Sequence, residues 1–364
     1  MSACSEKVPL FIVNYNGLEN LGLRFLEVVG KAVNASTYLD NLEVVLVDNG
    51  SRDASLDIIR ERFWDTVTPL RLNSNLGHAM GVNAGLMKYA RIRGCIPSRV
   101  FIMDNDYVIT NPGGLKDMLK YMESEGKAVA VQGVNLNRDG RVSDAGLLLT
   151  TFFTATFRCE GLSVSECPEK PSYVSSVISC LALYNLKSIL AKRKLLFDKH
   201  HIIYHDDVDL SLNMWSHGLT SASIPTVVGV HYWSSTRKRM NRAFVEYEGK
   251  RGSILLYRRL PRYTKAHTLL TPYFKELLFI IPRLAMYGID IARAKTKAFL
   301  DALTLEVESY KGSYEPLLVK MPARALVHPS KSLAMLKTLV VDRSLLLGSK
   351  RPFIISLQLK ASPF

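Results

Sequence analysis

Between residues 8 and 110 the chain alternates short apolar runs with segments of helical period, and this alternation constrains its fold more than any other feature. The runs Pro9–Val13, Leu42–Val47, Pro69–Leu72 and Val100–Met103 are too short and too predominantly apolar for surface helices. Strands buried on both faces have that composition. Between them, Leu18–Val33, Ala54–Phe63 and Ala79–Arg93 place apolar residues at helical spacing. Ser51 and Asp53 stand ready to cap the second of these. The pattern predicts an α/β unit with a mostly parallel central sheet and helices on both faces. In such sheets ligands bind at the carboxyl ends of the strands, which directs attention to the residues that follow each run.

Those residues are polar or acidic. The second run ends in Asp48-Asn49-Gly50-Ser51, and the fourth ends in Asp104-Asn105-Asp106. Farther on, His205-Asp206-Asp207-Val208-Asp209 opens a helix expected over Asp207–His217. Two carboxylates one residue apart at a strand end can hold a hard divalent cation against a diphosphate, although Asp and Asn also favour plain turns. Acids in a first helical turn suit the helix dipole. Three within four residues nevertheless repel one another, so one of them is available as a general base. Asp48 can accept hydrogen bonds from a base or ribose, or belong to a tight turn. Asn75 and Asn83 lie in the glycine-spaced stretch Asn75-Leu-Gly77-His78-Ala-Met-Gly81-Val-Asn83-Ala-Gly85. They can read a ligand, or the glycines there can serve close packing. His231 ends a strand expected over Thr226–Trp233 and becomes a metal ligand only if the fold brings it to Asp106. No G-x-G-x-x-G or Walker A sequence follows the first run, which excludes ordinary dinucleotide and P-loop binding.

Taken in order, these pieces resemble the family 2 glycosyltransferases, particularly the rhamnosyl- and galactofuranosyltransferase-like members. The resemblance runs over about residues 8–260. It rests on Val13-Asn14-Tyr15-Asn16, Val47 to Asp53, Asn75-Leu-Gly77 with Gly81-Val-Asn83-Ala-Gly85, and Asp104-Asn-Asp106. It continues through Phe197-Asp198, Asp206-Asp207-Val-Asp209-Leu210, Gly218, His231 and a divergent Tyr247-Glu-Gly-Lys-Arg251. The resemblance implies a GT-A fold, a nucleotide-sugar donor (UDP-, dTDP- or GDP-linked) and inversion at the anomeric carbon. By position it implies that Asp48 holds the base or ribose, with Asn14 and Asn16 nearby. Asn75 and Asn83 join them, and Asp104 and Asp106 hold Mn²⁺ or Mg²⁺ and the diphosphate. His231 would complete the metal site, and Asp207 would be the base with Asp206 beside it. Three departures from the family pattern are visible: Asp206 replaces Glu, the Arg expected near Asn213 is missing, and His78 stands where relatives often carry an aromatic or small residue.

Charge divides the chain. Residues 1–230 carry 23 Lys and Arg against 24 Asp and Glu, whereas residues 231–364 carry 24 against 9. The basic part calls for an anionic partner, either a membrane surface or a nucleic acid. No zinc motif or RNA-binding aromatic signature supports nucleic acid. Many relatives extend lipid-linked glycans, and the stretch Tyr273–Arg283 mixes bulky apolar residues with cations as an interfacial helix does. The expected layout is a catalytic domain over 1–235, a basic helical region over 236–310 that associates with membranes, and a tail over 311–364 with no assigned structure. A helical subdomain or a homo-oligomer contact is the alternative use of the basic part. The protein is expected to act in the cytoplasm, attached peripherally to the inner face of the cell membrane, on a lipid- or polymer-linked glycan.

Five scattered cysteines without a C-x-x-C pair favour free thiols in a reducing compartment, a Cys159–Cys167 bridge being the less favoured reading. Two other functions compete. A sugar-phosphate nucleotidyltransferase shares the architecture but needs a basic glycine-rich loop where this chain has Asn14-Tyr-Asn16-Gly17. A non-enzymatic nucleic-acid-binding protein would use only the basic region.

Overall fold

The computed structural model describes residues 3–4, 7–150, 155–232, 241–260, 288–314, 317–320, 336–341 and 354–356. The Tyr273–Arg283 segment and most of the 311–364 tail lie outside the described residues.

The expected alternation is present. Strand β1 (Val8–Asn14) leads through α1 (Gly17–Leu21) and α2 (Leu23–Tyr38) to β2 (Leu42–Asp48). Helix α3 (Ser55–Phe63), β3 (Val67–Arg71), α4 (Gly77–Arg93) and β4 (Arg99–Asp104) follow. Next come β5 (Tyr107–Ile109), α5 (Pro112–Ser124), β6 (Ala128–Leu136), β7 (Val142–Asp144) and β8 (Ser172–Tyr173). Strand β9 (Leu181–Asn185), α6 (Leu186–Leu190), α7 (Asp206–Ser216) and β10 (Thr220–His231) complete the unit. Helices α8 (Arg242–Arg259) and α9 (Ile289–Thr304) belong to the basic part.

The central sheet runs β8-β10-β6-β9-β4-β1-β2-β3, with β5 joined to β10 and β7 to β6. Strands β4, β1, β2 and β3 are mutually parallel, as are β6 and β10, while β9 lies antiparallel between β4 and β6. Apolar side chains pack on both faces. Helices α2, α3 and α5 cover one, burying Phe25, Ile59 and Met118. Helices α4, α6 and α7 cover the other with Val82, Tyr89, Ile189 and Met214. Close packing of α4 requires Gly85, where a Cβ would stand 2.8 Å from the Val47 side chain.

Two boundaries differ from expectation for local reasons. The helix expected over 18–33 breaks at Gly22, whose φ of 61° lies in the left-handed region open to glycine. The strand expected from Thr226 starts at Thr220 and tolerates Pro225 because its register against β6 shifts between Ser223 and Val227. Cysteine usage is also corrected. Cys159, Cys167 and Cys180 are free, but Cys95 is disulfide-bonded, so the thiols are not all free as expected. Among the described residues, no helix is long and apolar enough to cross a membrane.

Candidate active site

Parallel pairing sets the site's first edge. Asn14 lies opposite Asp48, and Val13 lies opposite Asp104, so three polar residues end adjacent strands at one level. Asn14 is spent holding this edge together. Its Nδ2 donates to Asp48 Oδ1 at 3.3 Å and to Ser51 Oγ at 3.2 Å, and its Oδ1 accepts from Asn105 Nδ2 at 2.9 Å. Asp48 is fully buried, and its Oδ2 has no hydrogen-bond partner among the described residues. An unpaired buried carboxylate oxygen is costly unless a ligand satisfies it.

Several residues read from the sequence as ligand contacts tie loops together. Asn16 adopts a left-handed conformation; its Oδ1 accepts from Arg52 N and its Nδ2 donates to Glu19, joining the loops after β1 and β2. Ser51 and Asp53 turn toward the same junction, accepting from Asn16 N and Glu19 N. Asp53 also accepts from Ser55 N, although Ala54 occupies the cap position of α3. Asn75 Oδ1 accepts from Gly77 N and Asn49 Nδ2. Asn83 is buried in α4, donating to Phe197 O at 2.8 Å and accepting from Phe197 N at 3.1 Å. Both of its amide atoms brace the segment before α7. Asn49, which the sequence offered only as part of a turn, fastens the Asn75–Gly77 loop through three hydrogen bonds.

The candidate metal site follows from a register. Strand β5 begins directly after Asp106 and pairs with the end of β10, setting His231 opposite Tyr107. That pairing brings His231 Nε2 to 3.4 Å from Asp106 Oδ1. One donor atom from each of Asp104, Asp106 and His231 lies within 4.8 Å of the others. Asp106 is buried, and its Oδ2 makes no hydrogen bond among the described residues. Two carboxylates and an imidazole, with an orphaned buried oxygen among them, fit a divalent cation such as Mn²⁺ or Mg²⁺. Behind His231 lie Asp144 and Cys180, also within reach of a common ion. There, however, Gln132, Asn135 and Ser143 already donate to the Asp144 carboxylate.

Helix α7 supplies the opposing acids. Tyr204 and His205 are both left-handed, and this turn drives Asp206 and Asp207 into the interior. Asp206 Oδ2 lies 2.5 Å from His78 Nδ1, and His78 Nε2 lies 3.4 Å from Asp104 Oδ1. Burial works against a charged His78, but Asp206 and Asp104 outweigh it and hold its pKa well above the usual value. Asp207 Oδ2 accepts from Ser179 N at 3.1 Å, while the next residue, Cys180, accepts from Asp104 N. Asp207 and the metal-type acids therefore flank one short loop. Burial and then the Asp206 charge push the Asp207 carboxyl up to about 7. That value suits a group that takes a proton near neutral pH.

Asp209 plays a different part. Fully buried, it pairs with Arg193 and Arg259 and accepts from Tyr310 Oη. The acid run that looked crowded in the sequence thus splits into three environments, one paired with His78, one with arginines, and one held by two backbone amides.

Residues 10–175 match the model of glycosyl transferase family 2. The chain carries a family 2 glycosyltransferase domain. Asp206, Asp207 and His231 lie beyond the matched residues, and the fold brings them beside Asp104 and the Ser179–Cys180 loop. The structure of GalNAc-T7 with UDP, GalNAc and Mn²⁺ is similar at 14% identity and a TM-score of 0.53. The match covers 84% of this chain and 55% of that one, so the chain spans about half its length. At this identity the likeness is one of fold, the GT-A arrangement. The mannosyltransferase PcManGT from Pyrobaculum calidifontis, solved with GDP-Man and Mn²⁺, is 19% identical with a TM-score of 0.47, covering 91% of this chain and 81% of that one. No curated protein matches the chain.

Proposed function

We propose that this chain is an inverting, metal-dependent glycosyltransferase. It moves a sugar from a nucleotide-diphosphate donor to a hydroxyl of a lipid- or polymer-linked glycan. One observation carries the reading: a metal-type donor set at Asp104, Asp106 and His231 lies across the short Ser179–Cys180 loop from a separate buried carboxylate, Asp207, poised near neutral pH.

Asp48 accepts from the base or ribose, which satisfies its orphaned oxygen. Asp104 and Asp106, with His231, would hold Mn²⁺ or Mg²⁺, which would supply positive charge to stabilise the departing diphosphate. Asp207 takes the proton of the acceptor hydroxyl as its oxygen bonds to the anomeric carbon. The bond from that carbon to the phosphate oxygen breaks, its electron pair stays on the departing nucleoside diphosphate, and the configuration inverts. The structurally similar GalNAc-T7, solved with UDP, GalNAc and Mn²⁺, supports this donor class.

The basic C-terminal part supports a membrane-bound acceptor on the cytoplasmic face. Helix α9 exposes Ile289, Leu300 and Leu303 beside exposed Arg293 and Lys297, a composition suited to an anionic lipid surface. Thermal-shift screening of UDP-, dTDP- and GDP-sugars with and without Mn²⁺ tests the donor reading, because a bound donor stabilises the fold. No stabilisation by any donor would sink it. Cosedimentation with anionic against neutral vesicles tests the membrane reading, which fails if binding is equally weak to both.

A further inference from the structure

His78 is not used by the mechanism above, yet it lies between Asp206 and Asp104. In a direct displacement the transferred sugar must lie between the diphosphate, held at Asp104 and Asp106, and the acceptor hydroxyl at Asp207. His78 spans that interval, with Nδ1 on Asp206, the neighbour of the base, and Nε2 facing Asp104.

The ring is held from several sides. Gly77 adopts a φ of 77° and packs so closely on Ile202 that a Cβ would meet its carbonyl oxygen at 2.6 Å. The next amide, His78 N, donates to the same oxygen at 2.8 Å. Phe197 packs against the imidazole at a centroid distance of 5.8 Å, and Asn83 fixes Phe197 through both backbone groups. Asp206 then sets the ring's rotation through Nδ1. The remaining ring nitrogen, Nε2, is buried and makes no hydrogen bond among the described residues. A side chain this well anchored, whose second ring nitrogen has only a 3.4 Å contact with Asp104, is preorganised for a ligand atom.

We propose that His78 reads the transferred sugar, its Nε2 hydrogen-bonding a sugar hydroxyl while Asp206 fixes the ring through Nδ1. The proposal rests on the donor reading above. It makes Asp206 a positioning residue for His78, where the sequence had grouped it with the base. It also gives a role to the residue that departs from the family pattern.

The test compares binding of each UDP-, dTDP- and GDP-sugar with that of the matching nucleoside diphosphate, in Mn²⁺, by titration calorimetry. His78→Asn retains a donor at the Nδ1 position for Asp206 but has no atom at Nε2. It is expected to bind the nucleoside diphosphate as wild type does and to lose about tenfold in affinity for the nucleotide-sugar, the size of one good hydrogen bond. His78→Gln, which reaches the Nε2 position, is expected to recover part of that loss, and it serves as the second variant should His78→Asn not fold. Equal sugar-dependent affinity in wild type and the folded variants overturns the proposal while leaving the donor reading intact. Failure of wild type to bind any nucleoside diphosphate or nucleotide-sugar overturns both.

Discussion

Asp206 and Asp207 are consecutive in α7, yet their carboxylates have opposite fates. Asp206 Oδ2 lies 2.5 Å from His78 Nδ1, whereas the Asp207 carboxylate accepts only from the Ser179 and Val208 amides among the described residues. Burial raises the Asp206 pKa, but the adjacent His78 overcomes this and holds it below its ordinary value. Asp207 is pushed from 3.8 to about 7 by burial and by Asp206 itself. Two adjacent acids with separated proton affinities make a division of labour, one fixed as an anion and one able to exchange a proton.

Asp207→Asn is therefore expected to lower transfer at least about 100-fold, the usual scale of a lost general base, while nucleotide-sugar binding persists. Transfer in wild type should rise with pH through a midpoint near 7, and Asp206→Asn should move that midpoint down because a neighbouring negative charge is gone. Stability should run the other way. Between 3.8 and about 7 the folded state holds the Asp207 proton more tightly than the unfolded chain does, so this contribution declines as pH rises through that window. Rate profiles and melting temperatures over the same pH series check both slopes. A full transfer rate in Asp207→Asn would remove the base assignment.

Asp106→Ala removes the buried oxygen that the donor set leaves unpaired. Its expected effect is a marked loss of nucleoside-diphosphate affinity in Mn²⁺ and little change in EDTA, where wild type is already without its cation. Calorimetric titrations in the two buffers separate these cases, and an equal loss in both would mean that Asp106 acts on the fold and not through a metal.

Asp48→Asn probes the other orphaned oxygen. The carboxylate is buried with one oxygen unpaired, so it costs the free protein stability that a ligand restores. The substitution is expected to weaken nucleotide binding about tenfold or more, while the melting temperature of the ligand-free protein does not fall. A drop in ligand-free melting temperature with unchanged affinity would make Asp48 a structural residue.

Much of this was legible in the sequence because strand ends impose position. Asp48 and Asp104 follow predominantly apolar runs, and parallel pairing of those runs with β1 brings their ends to one edge. Polar side chains that face neighbouring loops were not legible. Asn83 has the same composition signal whether it reads a ligand or brackets Phe197, because its partner lies far along the chain and no local period encodes that contact. His78 was visible only as a departure from the family pattern, since its meaning depends on Asp206 arriving from α7. The role of Asp209 was hidden for the same reason, as Arg193, Arg259 and Tyr310 reach it from three separate segments.

The link between fold and metal site is sharpest at Gly229. It sits in β10 opposite Ile109 of β5, two residues before His231. A Cβ there would come within 2.2 Å of Val108 O and 2.7 Å of the Tyr107 ring, and backbone cannot yield as a flexible side chain can. Gly229→Ala must therefore push β5 away from β10, at a cost of about 1–3 kcal/mol for overpacking. Because that pairing is what sets His231 beside Asp106, the same displacement separates two metal donors. The expected result is a lower melting temperature together with weakened Mn²⁺-dependent nucleotide binding, measured on one sample. A control at Gly126, where a Cβ meets nothing within 4 Å, should leave both nearly unchanged. If Gly229→Ala lowered stability but left Mn²⁺-dependent binding intact, His231 would not belong to the metal site.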